Sequence, residues 1–537
     1  MESDSQIHIP APPTESEKYR YIEHHQYLLS IFSFVAVAGV AYSTLRFILI
    51  RPLFYVLFPF WILSLVTFLV YVLVQGLGRS YDISQHLKLV EQWNPTEYPS
   101  VDIFLPTWGE DLRILRNTWE GVSQLIAHYP GNTMVYCLDD GDRQSTKKLA
   151  EEFGWEYLVR EDRPSFRKAG NLQNAFQLST AEFILLFDAD FRPRPDFLSE
   201  VLPYFYRDSR LGIVQTPQFF DIDKSQNWIE RSAGAVQEYF YRSIQQNRDK
   251  NGESICVGSN SIYRRSALDA NDGFSLMMHS EDVHTGFDVR VQGWNIKYLP
   301  LNLAKGVCPD KILSFYRQQH RWCRGSMSLC GSRKFWHRRM GWRVRLSYLS
   351  GFLYYVNTAA LSIALPLIPL ALLYIDPEVA QLRNYVYLLP AMVFAYIVLP
   401  LWHRCKYYRL EIYSLKIVYG WSHFFAVWGE LRGKSLTWQA TGTQDSSRSD
   451  FRQFQLAMYI FTLPTAILWT SGSVWHIINW NFWNFLPITV SGIIYLLSAL
   501  RVAISLARDA RAQRANSTHI DLKDTALSSS LRRIIGR

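Results

Sequence analysis

Hydrophobic residues along this chain fall into long unbroken runs towards both ends and into short, interrupted ones through the middle. Runs at about 27–48 and 53–77 each have the roughly 20 apolar residues that cross a bilayer as a helix. From 80 to about 345 no run is that long, and strand-like stretches alternate with amphipathic helical ones, the pattern of a soluble α/β domain. At its end the basic and aromatic stretch Lys334 to Tyr348 predicts an interfacial helix leading into a third span at about 349–374; a fourth follows near 385–402. Residues 403–450 are mixed. Their apolar face is too wide for a free surface helix, yet Lys416, His423 and Glu430 interrupt it, which predicts a segment lying at the interface. Two more spans, near 451–477 and 482–506, complete a predicted six.

Charge orients this pattern, because short cytoplasmic loops collect Lys and Arg. Arg404, Lys406, Arg409, Lys416, Arg432, Lys434 and Arg448 lie between the fourth and fifth spans, whereas the opposite loop near 376–384 holds only Arg383. That places the α/β domain and the basic tail 507–537 in the cytosol; Arg46 and Arg51 alone run against it. The first 26 residues are polar, include Pro10, Pro12 and Pro13, and predict a disordered cytosolic tail.

Composition agrees with a membrane protein: 15% aromatic residues, 18 of them Trp, against 19% charged. The net charge of +9 has no basic stripe of a nucleic-acid module behind it, and juxtamembrane Lys and Arg account for it. The six Cys form no CxxC pair, and cytosolic thiols stay reduced.

Candidate chemistry sits at strand ends, where open α/β sheets bind ligands. The strand 133–138 runs into Asp139, Asp140 and Gly141, which is also common turn chemistry. A wholly apolar strand, 183–187, runs into Asp188-Ala189-Asp190, and two closely spaced carboxylates suit Mg²⁺ or Mn²⁺ on a diphosphate. Ser280, Glu281 and Asp282 open a helix ending at Gly293. Acidic residues there either stabilise the helix dipole or supply a general base, and a helix start would lower the pKa of Asp282. His279 and His284 spell out no ligand set. The last cluster is "QQHRWCRG", where Gln318, Arg321 and Trp322 offer a cation for phosphate and a flat face for a sugar, or simply an interfacial anchor.

Taken in order, between two spans and four, these clusters resemble the signature of the processive family 2 glycosyltransferases of the cellulose synthase kind: Asp-Asp-Gly, Asp-x-Asp, a Thr-Glu-Asp-like triplet and Gln-x-x-Arg-Trp. The likeness runs from Val101 to Met327. It implies a GT-A-like α/β cytosolic domain inserted in an α-helical transmembrane protein, integral to the plasma membrane. It implies that Asp139 and Asp140 meet the uracil and ribose of a UDP-sugar, and that Lys168 in "RKAGNLQNA" approaches the diphosphate. Asp188 and Asp190 would hold the donor and a Mg²⁺ or Mn²⁺ ion, with Asp190 the direct ligand. Asp282 would be the general base, Glu281 would lie on the acceptor side, and Gln318, Arg321 and Trp322 would shape the acceptor site and hold the diphosphate. "QTPQFF" (Gln215 to Phe220) is similar to a strand end beside the donor in that family.

The runs "RWCRGSM", "KAGNLQNA" and "SEDVHTGFDVRVQGW" are similar to those of cellulose synthases, implying a β-linked glucan made from UDP-glucose on a growing polysaccharide, with membrane lipids around the spans. Rival readings are a chitin- or hyaluronan-type synthase, a non-processive lipid glycosyltransferase, and a degenerate transferase serving as scaffold or transporter. Three departures stand out: Ser280 replaces the usual Thr, Val257 stands where bacterial cellulose synthases place Cys, and the gating-loop-like "TWQATG" around Thr441 lacks its usual basic residue.

Overall fold

The computed structural model of the chain describes residues 9–22, 26–75, 81–404, 409–433 and 446–535. Its α/β domain is built on a mixed seven-stranded sheet. In chain order the strands are β1 (Val101–Thr107), β2 (Thr133–Asp139), β3 (Glu156–Leu158), β4 (Phe183–Leu186), β5 (Arg192–Pro193), β6 (Leu211–Gln215), β7 (Phe219–Phe220), β8 (Ser261–Arg264), β9 (Asn295–Tyr298) and β10 (Ala304–Gly306). The large sheet has the order β3-β2-β1-β4-β8-β6-β9, and β5-β10-β7 forms a small second sheet. Only β8 runs antiparallel to its neighbours in the large sheet. This is a GT-A-like fold.

Alternation along the strands feeds two apolar layers. Val101, Ile103 and Leu105 pack with Leu115, Trp119 and Val122 of the helix Leu112–His128, while Phe104 packs on the other face with Leu172 and Phe176 of Arg167–Leu178. Asp102, polar within an otherwise apolar strand, accepts from the Thr180 and Ala181 amides at 3.0 and 2.8 Å. The strand ends are thereby fixed between rigid layers, which is what a strand-end site requires.

Residues 9–22 depart from the expected disordered tail. Thr14 and Glu17 form a capping box, and the segment lies across the domain as a strap. Asn117 Nδ2 donates to the Pro10 carbonyl at 3.0 Å and Asn302 Nδ2 to that of Glu17 at 2.8 Å. Lys18, 3% exposed, donates to Asp196 at 2.9 Å and Glu200 at 2.6 Å, and the second oxygen of Glu200 meets His86 Nε2 at 2.7 Å. Tyr21 sets its ring edge-on to Phe219, 5.4 Å away. Composition predicts disorder because it counts apolar residues; here buried ion pairs and backbone hydrogen bonds hold a polar segment in place. Removing one partner of a buried pair typically costs about 3–5 kcal/mol, so Lys18→Met should lower unfolding stability by about 3 kcal/mol. Thermal melting of the purified protein checks this, and an unchanged midpoint would show the strap to be dispensable.

Five described helices are long and apolar enough to cross a bilayer: Tyr27–Ile50, Pro52–Val74, Trp342–Tyr374, Leu382–Trp402 and Phe482–Arg511. The span expected at 451–477 lies on a helix interrupted by a π turn at Ala457–Thr462 and is not among the five. The single interfacial helix expected over Lys334 to Tyr348 is divided. A short helix, Arg333–His337, ends before Gly341, and the spanning helix begins at Trp342. Between domain and spans lies Glu411–Leu431, where Ser422 Oγ donates to the Tyr316 carbonyl at 2.9 Å and His423 Nδ1 meets Thr358 Oγ1 at 2.7 Å. The Thr441 stretch lies outside the described residues.

Candidate active site

Asp139 and Asp140 are buried and committed to their surroundings. Asp139 accepts from the Gly141 and Arg143 amides at 2.9 and 3.0 Å and from the Tyr157 hydroxyl at 3.0 Å. A Cβ on Gly141 would lie 2.1 Å from the Trp108 carbonyl oxygen, so the tight turn excludes any other residue. Asp140 takes a two-pronged bond from Arg160, at 2.8 and 2.7 Å, and the same guanidinium donates to the carbonyls of Ser165 and Arg167. Gly170 in "KAGN" leaves room for that guanidinium, since a Cβ there would sit 2.3 Å from it. The turn chemistry of Asp-Asp-Gly is thus present, and Arg160 ties it to the segment that carries Lys168.

Lys168 joins two elements. Its ammonium pairs with Asp188 at the end of β4 and lies 3.6 Å from Glu281 at the start of the helix Glu281–Val291. Burial works against that charge, but Asp188 and Glu281 together hold its pKa well above the usual lysine range. Ser259 Oγ accepts the Asp188 amide at 2.8 Å. Asp190 is pushed up to about 7, first by burial and then by Asp188 beside it.

Such a crowded pair of carboxylates fits a divalent cation, which would relieve the repulsion. Among the described residues no group of three His, Cys, Asp or Glu is placed to hold a metal ion, so a cation here would complete its shell with phosphate oxygens or water, as Mg²⁺ commonly does.

Asp282 runs against its sequence expectation. The helix start would lower its pKa, but burial and then the adjacent Glu281 raise it to about 7, with Lys168 and the Val283 amide opposing them. Enclosure outweighs the dipole because the Gly258 backbone closes on the carboxylate: a Cβ there would lie 3.1 Å from Oδ2, and Gly258 has φ +88°. Gln215 holds that loop, accepting from the Val257 amide at 2.9 Å and donating to the Ser259 carbonyl at 2.8 Å.

Ser280 stands at the N-cap position expected for it but has φ +52° and makes no side-chain cap bond. Instead the helix Ile312–Gly331 lies against it, and a Cβ on Gly325 would come 2.1 Å from Ser280 Oγ. His284 Nε2 meets the Gly325 carbonyl and Ser328 Oγ at 3.3 and 3.1 Å. Burial holds His284 at about 4, and burial with Arg167, Arg324 and Arg321 holds His279 at about 3. The imidazoles are therefore neutral neighbours, and the depression of His279 marks a cationic surrounding of which sequence reasoning found only Arg321.

A cavity of about 1090 Å³ is lined by Asp282 and by residues of the spanning helices, among them Phe47, Leu372, Tyr385 and Tyr495. Trp322, Gln319, Tyr355 and Thr358 also stand on its wall. Gln318 is not a wall residue and Arg321 is exposed.

A mixed sheet with carboxylates at the β2 and β4 ends stands beside a cavity that Asp282 shares with helices long and apolar enough to cross a membrane. Residues 183–401 match the family model described as Glycosyl transferase family group 2. "Cellulose synthase 1" of Komagataeibacter xylinus is 31% identical over 342 residues, 63% of this chain and 21% of the relative. "Cellulose synthase 1 catalytic subunit [UDP-forming]" of the same organism is 35% identical over 239 residues, 44% of this chain and 32% of that one. The "Cellulose synthase catalytic subunit [UDP-forming]" of Pseudomonas fluorescens (strain SBW25) is 30% identical over 308 residues, 56% and 41% of the two chains. The matches span from 21% to 41% of these relatives' lengths. Over residues 183–401 the chain is similar to the family 2 glycosyltransferases, and over up to 342 residues it is similar to cellulose synthases.

Proposed function

We propose that this chain is a hexosyltransferase that transfers glucose from UDP-glucose, with inversion, onto a growing β-linked glucan and passes the product into the membrane cavity. The observation that carries the reading is the continuity of Asp282, Trp322 and the cavity between the spans. Asp282 accepts the proton of the acceptor hydroxyl. The acceptor oxygen then bonds to the anomeric carbon as the bond from that carbon to the UDP oxygen breaks, and UDP leaves with the electron pair. A pKa of about 7 suits a base working near neutrality. Lys168 and Arg321 face the diphosphate, Asp139 and Asp140 hold the rim on the uridine side, and Glu281 fixes Lys168 beside the acceptor. Asp188 and Asp190 would hold Mg²⁺ or Mn²⁺, which when bound neutralises charge growing on the leaving diphosphate. Catalysis then rests on positioning and electrostatics, with no covalent enzyme intermediate. The domain lies on the cytosolic side of the plasma membrane, where UDP-sugars are made.

Labelled UDP-glucose and UDP-N-acetylglucosamine, offered separately to the purified protein, test the reading. Polymer from the first, sensitive to β-glucanase, is expected. Chitinase-sensitive polymer from the second alone would overturn the sugar, and UDP release without polymer would point to a lipid acceptor. Trp322→Ala should reduce polymer synthesis about tenfold or more through loss of a sugar-stacking face, leaving UDP affinity nearly unchanged by titration calorimetry. A matching fall in UDP affinity would move the ring to the donor side.

A further inference from the structure

Between Asp310 and Asp376 the sequence contains no acidic residue, and at the foot of the span Trp342–Tyr374 it gathers Arg333, Lys334, Arg338, Arg339, Arg343 and Arg345. Lys334 is taken by Asp288, 2.8 Å away, and Arg345 donates to the Arg338 carbonyl at 2.8 Å. Arg333, Arg338, Arg339 and Arg343 are exposed. Among the described residues no carboxylate stands within ion-pair distance of Arg333, Arg338 or Arg339. Trp336 and Trp342 stand out between them, 50% and 64% exposed, and Arg343 lies over the Trp342 ring at 5.4 Å. Exposed indoles at the start of a span sit in the headgroup layer, and cations beside them in that layer face lipid phosphates. That setting favours a bilayer surface over a nucleic acid, which would need the patch to stand clear of the membrane.

The same segment is fastened to the catalytic machinery. Phe335 is fully buried, with its ring 5.8 Å from Phe287 and 5.1 Å from Phe352. Phe287 and Asp288, the partner of Lys334, lie on the helix Glu281–Val291, whose first turn carries Asp282.

We propose that residues 333–345 are a docking apron for anionic phospholipid headgroups, and that their engagement steadies the helix Glu281–Val291 and so the position of Asp282. The second half rests on the reading of Asp282 as the base; the first half does not.

The test uses the full chain in nanodiscs of phosphatidylcholine alone or mixed with phosphatidylglycerol. Phosphatidylglycerol retained after extraction is counted by native mass spectrometry, and UDP release is measured in each disc. Wild type should retain phosphatidylglycerol at least about tenfold better than R333Q/R338Q/R339Q, since each basic residue near an anionic surface contributes appreciably. Wild-type UDP release should rise with phosphatidylglycerol and the variant's should not. K147Q/K148Q, on the exposed face of the helix Gln144–Phe153, should match wild type in both, and R333K/R338K/R339K should restore retention if charge rather than fold is at issue. Equal retention by wild type and the glutamine variant would overturn the apron. Retention that differs while UDP release ignores the lipid would overturn the coupling to Asp282. Loss of UDP release in every disc with retention intact would count against the proposed reaction, not against the apron.

Discussion

Asp282→Asn should lower the rate of sugar transfer by about 10² to 10⁴ while UDP binding stays close to wild type. The amide keeps the size of the carboxylate but takes no proton, and it leaves unchanged Lys168, Asp188 and Asp190, the residues proposed to meet the donor. The surroundings of Asp282 also set the pH dependence. Transfer requires the ionised form, so with a pKa near 7 the rate should fall as pH drops through about 7. An exposed aspartate would hold its rate down to about pH 4. Single-turnover rates from pH 5 to 9, beside UDP affinity by calorimetry, check both statements. Near-normal turnover in the variant would remove Asp282 from the role of base.

Asp190→Asn should lower activity by about 10³, the loss that several kcal/mol of metal-borne charge stabilisation corresponds to. The same variant has an effect on stability independent of turnover. An acid whose pKa is raised from 3.8 to about 7 holds its proton more tightly in the folded chain than in the unfolded one. It therefore detracts from stability increasingly as pH climbs between those values. Without added metal, Asp190→Asn should melt higher than wild type at pH 8 and about equally at pH 4. Mn²⁺ should raise the wild-type midpoint and leave the variant's unmoved. Full wild-type activity in excess EDTA, or a variant that melts lower at pH 8, would contradict the assignment.

The strand ends were legible because an uninterrupted apolar run followed directly by acids leaves few places for those acids except the carboxyl edge of a sheet, and β4 with Asp188 and Asp190 follows that logic. What escaped the sequence depends on distant partners. Arg160 is separated from Asp140 by 20 positions, and nothing local marks it. The pKa of Asp282 depends on the Gly258 backbone closing over it, which outweighs the helix start that the sequence does reveal. The strap around Lys18 is polar, so composition reads it as disordered, whereas its order comes from Asp196 and Glu200 far along the chain. The helix over the predicted span near 451–477 carries a π turn at Ala457–Thr462, as the spanning helix Leu382–Trp402 does at Phe394–Val398, so such a turn does not by itself decide a crossing.

The central claim is that chemistry at Asp282 feeds the cavity between the spans, and a photoreactive residue at Leu361, on the wall of that cavity, tests it most directly. With labelled UDP-glucose supplied and the protein illuminated during synthesis, label should become covalently attached at position 361 as polymer. The same residue in Asp282→Asn should capture none. Abundant polymer in solution with no label at position 361 would show that the product leaves by another route and would contradict the account.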